Sequence, residues 1–274
     1  MRLHRQTGRI IRRYSVNRQN IYRLALTPVH FTVGVNVLDL GCGYGRFTAS
    51  LNSVVPPGSR CTGIDITAGN RVPYLAAAGR SGFGGRFIND TAAVIRGFPA
   101  NSYQLIIAAY SLNYFAEILP AVPHILADDG WFIAITHSDR FLNELTADIN
   151  KALALTTTAP CPDVDFRALV SGFNAENGVE QLCKYFAAIE KIDYENCLSF
   201  PVEQLADCFT YIDFKLPLVI DAVSWDEPDL NVEFVRNIQA IVRRKAERNG
   251  CYSMNKNDCI FRCRYPVTGA TNDA

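Results

Sequence analysis

The first half of the chain alternates short apolar runs with longer amphipathic stretches. Residues 36–40, 60–66, 86–88 and 103–109 read as strands, and the last run is apolar at nearly every position. Such a run suits a strand buried on both faces, as in a parallel sheet. A helix is predicted from about residue 46 to the stop at Pro56-Pro57-Gly58. Another spans 70–78, with Pro73 in its first turn and Gly79 at its end. A helix over 115–127 and the pair Asp129-Gly130 lead into a fifth strand at 131–136. Strands that alternate with helices predict an α/β fold with a doubly wound, mostly parallel sheet.

After His137 this rhythm breaks. Residues 139–151 look helical, with Leu142, Leu145 and Ile149 on one face, and Pro160-Cys161-Pro162 breaks the chain beyond them. Asp139 reads as the N-cap of that helix. Helices are predicted over 177–186, 201–211 and 231–247, the last stopping at Asn249-Gly250, and strands over 188–199 and 258–265. The tail from residue 268 reads as frayed. The segmentation that results is an N-terminal helical arm (1–30), an α/β core (31–138), a lid segment (139–182), a sixth core strand region (183–199), lid helices (200–250), and a last core strand with the tail (251–274). The aromatics Phe141, Phe166, Phe173, Phe209, Tyr211, Phe214, Trp225 and Phe234 fall largely in the lid segments. Most are expected to form the lid's own core, and a few to face an apolar cavity.

Composition narrows the class. The 27 basic and 27 acidic side chains among 274 residues cancel, which argues against wholesale nucleic-acid binding. The balance is uneven, because seven arginines precede the first acid, Asp39. The basic arm is open to three uses: a helix folded over the core as a cap, a targeting sequence, or a contact with an anionic surface or nucleic acid. Nine cysteines without a CxxC pair read as reduced thiols of a cytoplasmic protein. Four histidines lack metal-ligand spacing, so no metal is expected. No apolar run approaches the roughly 20 residues of a membrane-spanning helix. Nothing in the chain indicates an oligomeric state.

The segment 37–47, VLDLGCGYGRF, carries the chemistry. An apolar strand runs into glycines at alternate positions and then into a predicted helix start. Gly41 and Gly43 let backbone amides approach a ligand, and a helix there adds a positive end. The spacing is GxGxG. Arg46 stands where the dinucleotide fingerprint has its third glycine. Asp39 precedes the glycines, and a carboxylate there suits a cationic amine better than a pyrophosphate. Asp65 closes the second strand 22 positions after Gly43, where an acid can accept from ribose hydroxyls. Asp90 follows the third strand. Three acids at the carboxyl ends of three strands would line one crevice, and the ligand they fit is S-adenosylmethionine.

On these residues the chain resembles the class I S-adenosylmethionine-dependent methyltransferases of the small-molecule kind. Segment 37–47 matches that family's glycine motif, Gly63-Ile64-Asp65-Ile66 its ribose motif, and Asn89-Asp90-Thr91 its adenine segment. Residues 98–106 and 125–136 resemble its approach to strand four and its helix–Gly–strand-five segment. The resemblance implies a seven-stranded Rossmann-like sheet with helical lid insertions. It also implies that Asp39, Gly41, Cys42 and Gly43 hold the methionine portion, Asp65 and Ile66 the ribose side, and Asp90 and Thr91 the adenine. Ala109 and Tyr110 would border the sulfonium. Gln104 and Asp129 depart from the family pattern at positions that do not contact the cofactor.

The activity implied is methyl transfer to an O, N or C atom of a small molecule by in-line displacement. The sulfonium supplies the electrophile and the protein supplies alignment. His137, directly after strand five, and Tyr110 are the candidate catalytic residues. The bare reading of His137 favours a hydrogen-bonded histidine that orients the next loop. Two alternatives stay open: an RNA or protein methyltransferase that docks through the basic arm, and a protein that binds the cofactor without methyl transfer.

Overall fold

A computed structural model of the chain describes residues 2–157, 163–220 and 228–267. Pro160-Cys161-Pro162, Trp225 and the tail from residue 268 lie outside the described residues. Among the described residues the strands are β1 Asn36–Leu40, β2 Arg60–Ile64, β3 Gly84–Ile88, β4 Tyr103–Ala109, β5 Leu126–His137, β6 Phe186–Tyr194, β7 Cys197–Pro201, β8 Cys251–Asn255 and β9 Asp258–Pro266.

The chain divides into two compact units. The first comprises Gln19–Asp139, Val170–Tyr194 and the chain from Asp258 onward. Its sheet has seven strands in the order β3-β2-β1-β4-β5-β9-β6. Neighbours among β1 to β5 pair in parallel, and β9 runs antiparallel to both β5 and β6. Successive side chains of one strand enter opposite apolar layers. Leu38, Ile106 and Phe132 pack on one face, and Val37, Leu105, Ile107 and Ile133 on the other. This double burial is why β4 reads as an unbroken apolar run. Parallel pairing puts the carboxyl ends of β1, β2, β3 and β4 along one edge, and that edge carries the site.

A buried arginine ties a short helix, Ile21–Leu26, to this sheet. Arg262 on β9 is 7% exposed and donates to the Ala25 carbonyl at 3.0 Å, to the Leu24 carbonyl, and to Glu190 at 2.9 Å. The Asn20 side chain caps that helix, accepting from the amides of Tyr22 and Arg23. The segment read as one N-terminal arm is thus two helices in different units, Arg2–Tyr14 and Ile21–Leu26.

Several elements differ from the sequence reading, each for a physical reason. The helix expected from residue 46 is a six-residue 3₁₀ turn, Thr48–Ser53, closed by i→i+3 bonds such as Ser50 N–H to Phe47 C=O. The helix expected over 115–127 is a 3₁₀ stretch, Ala116–Ala121, and one α-turn, Val122–Ile125. Pro120 and Pro123 remove two donors from that ladder. β5 begins at Leu126, ahead of the expected Trp131, and its pairing with β4 slips between Tyr103 and Leu105. The strand expected over 188–199 splits into β6 and β7. At the break, the Asn196 amide donates to the Asn257 side chain at 2.7 Å and makes no ladder bond there. The helix expected from Asp139 starts at Asn143, and Leu142 occupies its N-cap position at φ 58°.

The second unit comprises the chain up to Arg18, Arg140–Leu169 and Glu195–Asn257. It holds a two-stranded antiparallel sheet, β7 with β8, and its own apolar core. Residues 251–255, read as part of the last core strand, are β8 of this small sheet. Phe141, Phe166, Tyr211 and Phe234 are buried in that core and Phe209 packs against it, whereas Phe173 belongs to the first unit. Helix Arg2–Tyr14 is anchored at its end by Tyr14. Its hydroxyl lies 2.7 Å from Asp207 Oδ2 and 2.6 Å from Gln204 Oε1. Burial, reinforced by Asp207, pushes the Tyr14 phenol up to about 12. No helix of the described residues is long and apolar enough to cross a membrane.

Candidate cofactor and active site

Three glycines build the loop after β1. Gly41, Gly43 and Gly45 have φ of 67°, 49° and 73°, a region that L side chains rarely adopt. Their surroundings differ. A Cβ on Gly41 would lie 2.5 Å from Ser111 Cβ, and one on Gly45 would lie 2.9 Å from Ala77 Cβ. A Cβ on Gly43 would meet nothing within 4 Å. Gly41 and Gly45 are therefore fixed by packing, whereas Gly43 faces open space.

The three acids sit at graded depth along the carboxyl edge. Asp39 is 3% exposed and accepts a hydrogen bond from Thr48 Oγ1 at 2.6 Å. Burial raises its carboxyl from 3.8 to about 7, against the lowering effect of Thr48 and with a smaller contribution from Asp65. Asp65 is half-buried. Its Oδ2 accepts the Gly43 N–H at 2.8 Å and its Oδ1 the Thr67 N–H at 2.8 Å. Two backbone amides thus aim this carboxylate while leaving lone pairs for further donors. Asp90 is exposed, and its Oδ1 accepts the Thr91 N–H at 2.7 Å. Asn89 joins the ends of β2 and β3 by donating to the carbonyls of Asp65 at 3.0 Å and Ile66 at 2.9 Å. Ile66, beside Asp65, is an apolar side chain that is 74% exposed. Cys42 is buried under the loop, and burial pushes its thiol well up, which makes it a packing group.

The end of β4 lies beside the end of β5, with Ala109 paired to Ile135. Tyr110 follows at φ 58°, its N–H held by the Ile135 carbonyl at 2.7 Å. Its ring lies against His137, with centroids 4.7 Å apart and an interplanar angle of 34°. Both side chains converge on Asp258. The Tyr110 hydroxyl donates to Oδ2 at 2.9 Å, and His137 Nδ1 lies 2.5 Å from Oδ1. Burial, then the Asp258 charge, pushes the Tyr110 phenol far above its usual range, so it stays a donor. Asp139 does not cap a helix; its amide donates to Glu176 Oε2 at 2.7 Å. Tyr114, the other tyrosine near β4, is 68% exposed.

The sequence reading missed Thr48, Glu176 and Asp258. A hydroxyl nine positions after Asp39 is a weak local signal. Asp258 offers none, because its place depends on the register of β9.

The residues present fit S-adenosylmethionine. Gly43 leaves a cradle that any side chain would fill. The groups around it are carboxylates suited to an ammonium and ribose hydroxyls. The 3₁₀ turn after the loop offers no helix N-terminus for a pyrophosphate.

Comparison with known proteins agrees. Residues 37–130 match the family of methyltransferase domains. A 101-residue stretch is 33% identical to nocamycin O-methyltransferase of Saccharothrix syringae. That match spans 35% of this chain and 36% of the relative, so it covers about a third of each. A structure from Bacillus halodurans C-125, described as a candidate methyltransferase, superposes over 90% of this chain and 99% of its own, with TM-score 0.52 and 10% identity. The first unit has the Rossmann-like fold, and its stretch from β1 into β5 is similar to methyltransferase domains.

Proposed function

We propose that the protein transfers the methyl group of S-adenosylmethionine to a small-molecule acceptor. The carrying observation is the Asp65 carboxylate, aimed by the Gly43 and Thr67 amides beside a glycine cradle that faces open space. Asp65 binds the ribose hydroxyls and Ile66 offers an apolar platform to the base. Asp90 and the Thr91 backbone meet the adenine edge. Gly41, Cys42 and Gly43 shape the loop around the methionine portion, and Asp39 faces its ammonium from the floor of the loop. Ala109 and Tyr110 border the reacting centre, with His137 next to them.

When bound, the cofactor supplies an activated methyl on a cationic sulfur. The protein's own contribution is alignment and exclusion of water. Holding donor and acceptor in line accounts for about 7–11 kcal/mol of barrier lowering. The acceptor is a small molecule on this reading, in keeping with the nocamycin relative. Eight cysteines of the described residues are free thiols, which suits the reducing cytoplasm. The test is incubation with methyl-labelled cofactor and a small-molecule extract. Label in a low-mass product supports the reading. Label only in macromolecules, or tight binding without transfer, rejects it.

A further inference from the structure

Asp258 opens β9 and pairs with His137 of β5 on one side and Tyr194 of β6 on the other. The antiparallel insertion of β9 brings this carboxylate to the end of β5 from 121 positions away. Its side chain is 4% exposed, and that of His137 is 19% exposed. Each oxygen has its own partner, Oδ1 the imidazole Nδ1 and Oδ2 the Tyr110 hydroxyl. Tyr110 makes that contact from φ 58°, a left-handed backbone that a bulky residue rarely adopts. A carboxylate on Nδ1 accepts the ring proton there and leaves the lone pair of the neutral imidazole on Nε2.

From this geometry, and resting on the methyl-transfer reading, we infer that Asp258 is a positioning residue that sets His137 as the proton acceptor, and that the substrate is an O–H acid, a phenol or an enol. An amine with a free lone pair needs no base to attack. A hydroxyl does, because its proton must leave as the new bond forms. The acceptor oxygen donates an electron pair to the methyl carbon, the C–S bond electrons return to sulfur as a neutral thioether, and the hydroxyl proton passes to Nε2 of His137. Tyr110 fixes the second carboxylate oxygen and so holds the Asp258 plane.

Among the described residues, the titratable and charged groups around this cluster include Tyr22 of helix Ile21–Leu26 with Arg46 acting on it, Tyr194 of β6, Glu176, which accepts from Ser138 at 2.8 Å, and Asp39 beyond them. Burial pushes the phenols of Tyr22, Tyr110 and Tyr194 upward, away from the neutral range. Asp39 titrates near neutrality, so a rate profile alone does not isolate the imidazole.

The experiment therefore reads the ring directly. Long-range ¹H–¹⁵N spectra of the full chain, without cofactor, are recorded for the parent, Asp258→Asn and Asp258→Glu, with His137→Gln assigning the signal. The expected result is an Nδ1–H tautomer in the parent, lost in Asp258→Asn and retained in Asp258→Glu. An Nε2–H tautomer in the parent, or no change in Asp258→Asn, overturns the inference. In parallel, methyl-labelled cofactor is supplied with phenols of graded acidity and with primary amines. Transfer to phenols that falls about 10²-fold in kcat in His137→Gln, with KM little changed, supports it. Transfer to amines alone, or to phenols undiminished in His137→Gln, sinks it while the methyl-transfer reading survives. Should neither class accept label, the tautomer still decides the role of Asp258, and calorimetric cofactor binding decides the wider reading.

Discussion

The hydroxyl of Thr48 donates to the carboxylate of Asp39 at 2.6 Å, beneath the glycine loop and out of contact with bulk water. A buried acid raised from 3.8 to about 7 binds its proton more tightly in the folded than in the unfolded chain. Folding stability therefore falls as pH rises through that window, by an amount on the order of 4 kcal/mol when the shift is complete. Asp39→Asn keeps the acceptor for Thr48 and removes the titration. Urea unfolding at pH 4 to 8 is expected to show the parent losing stability relative to Asp39→Asn as pH rises. Parallel curves would remove the burial account of this carboxyl.

Gly43 and Gly45 share left-handed backbone but not surroundings, and alanine separates their roles. Gly45→Ala pushes a Cβ to 2.9 Å from Ala77 and 3.5 Å from the Tyr74 backbone, so the fold bears the cost, about 1–3 kcal/mol. Gly43→Ala meets open space. It is expected to cost about 1–2 kcal/mol of backbone strain and to weaken cofactor binding disproportionately. Thermal melts with and without cofactor check this: the ligand-induced rise in Tm shrinks for Gly43→Ala and persists for Gly45→Ala.

Much of this site is legible in the sequence because its chemistry is local. Asn36–Leu40 and Tyr103–Ala109 are bounded as their apolar runs indicate, and the two strands bring Asp39 and Tyr110 to one edge. Asp65 and Asp90 follow from strand ends that turn residues mark. The features that fail to show are non-local. Asp258 meets His137 only because β9 enters the sheet antiparallel between β5 and β6 in one register. The run over 188–199 hides its break, because the partners that hold Asn196 out of the ladder, Ser15, Asn17 and Asn257, are remote in sequence. The 3₁₀ character of Thr48–Ser53 is equally hidden, because an apolar spacing of three to four fits either helix.

In the second unit, Tyr14 joins the N-terminal helix to the helix Leu205–Lys215 through Asp207 and to Gln204 just before it. Tyr14→Phe leaves the ring against Phe200, 4.5 Å away between centroids, and removes the hydroxyl. The expected loss is about 1–3 kcal/mol, a hydrogen bond to a charged acceptor. Chemical denaturation measures it, and an unchanged midpoint would show that the phenol contributes nothing to anchoring this helix.

The central claim is that the glycine loop, Asp65 and the neighbouring strand ends bind S-adenosylmethionine. Isothermal titration of the full chain with that compound tests it most directly, alongside Asp65→Ala. Saturable one-to-one binding to the parent is expected, with an affinity about 10- to 100-fold weaker for Asp65→Ala, the loss of hydrogen bonds to a charged acceptor. No binding to the parent, or equal affinity for the two proteins, would contradict it.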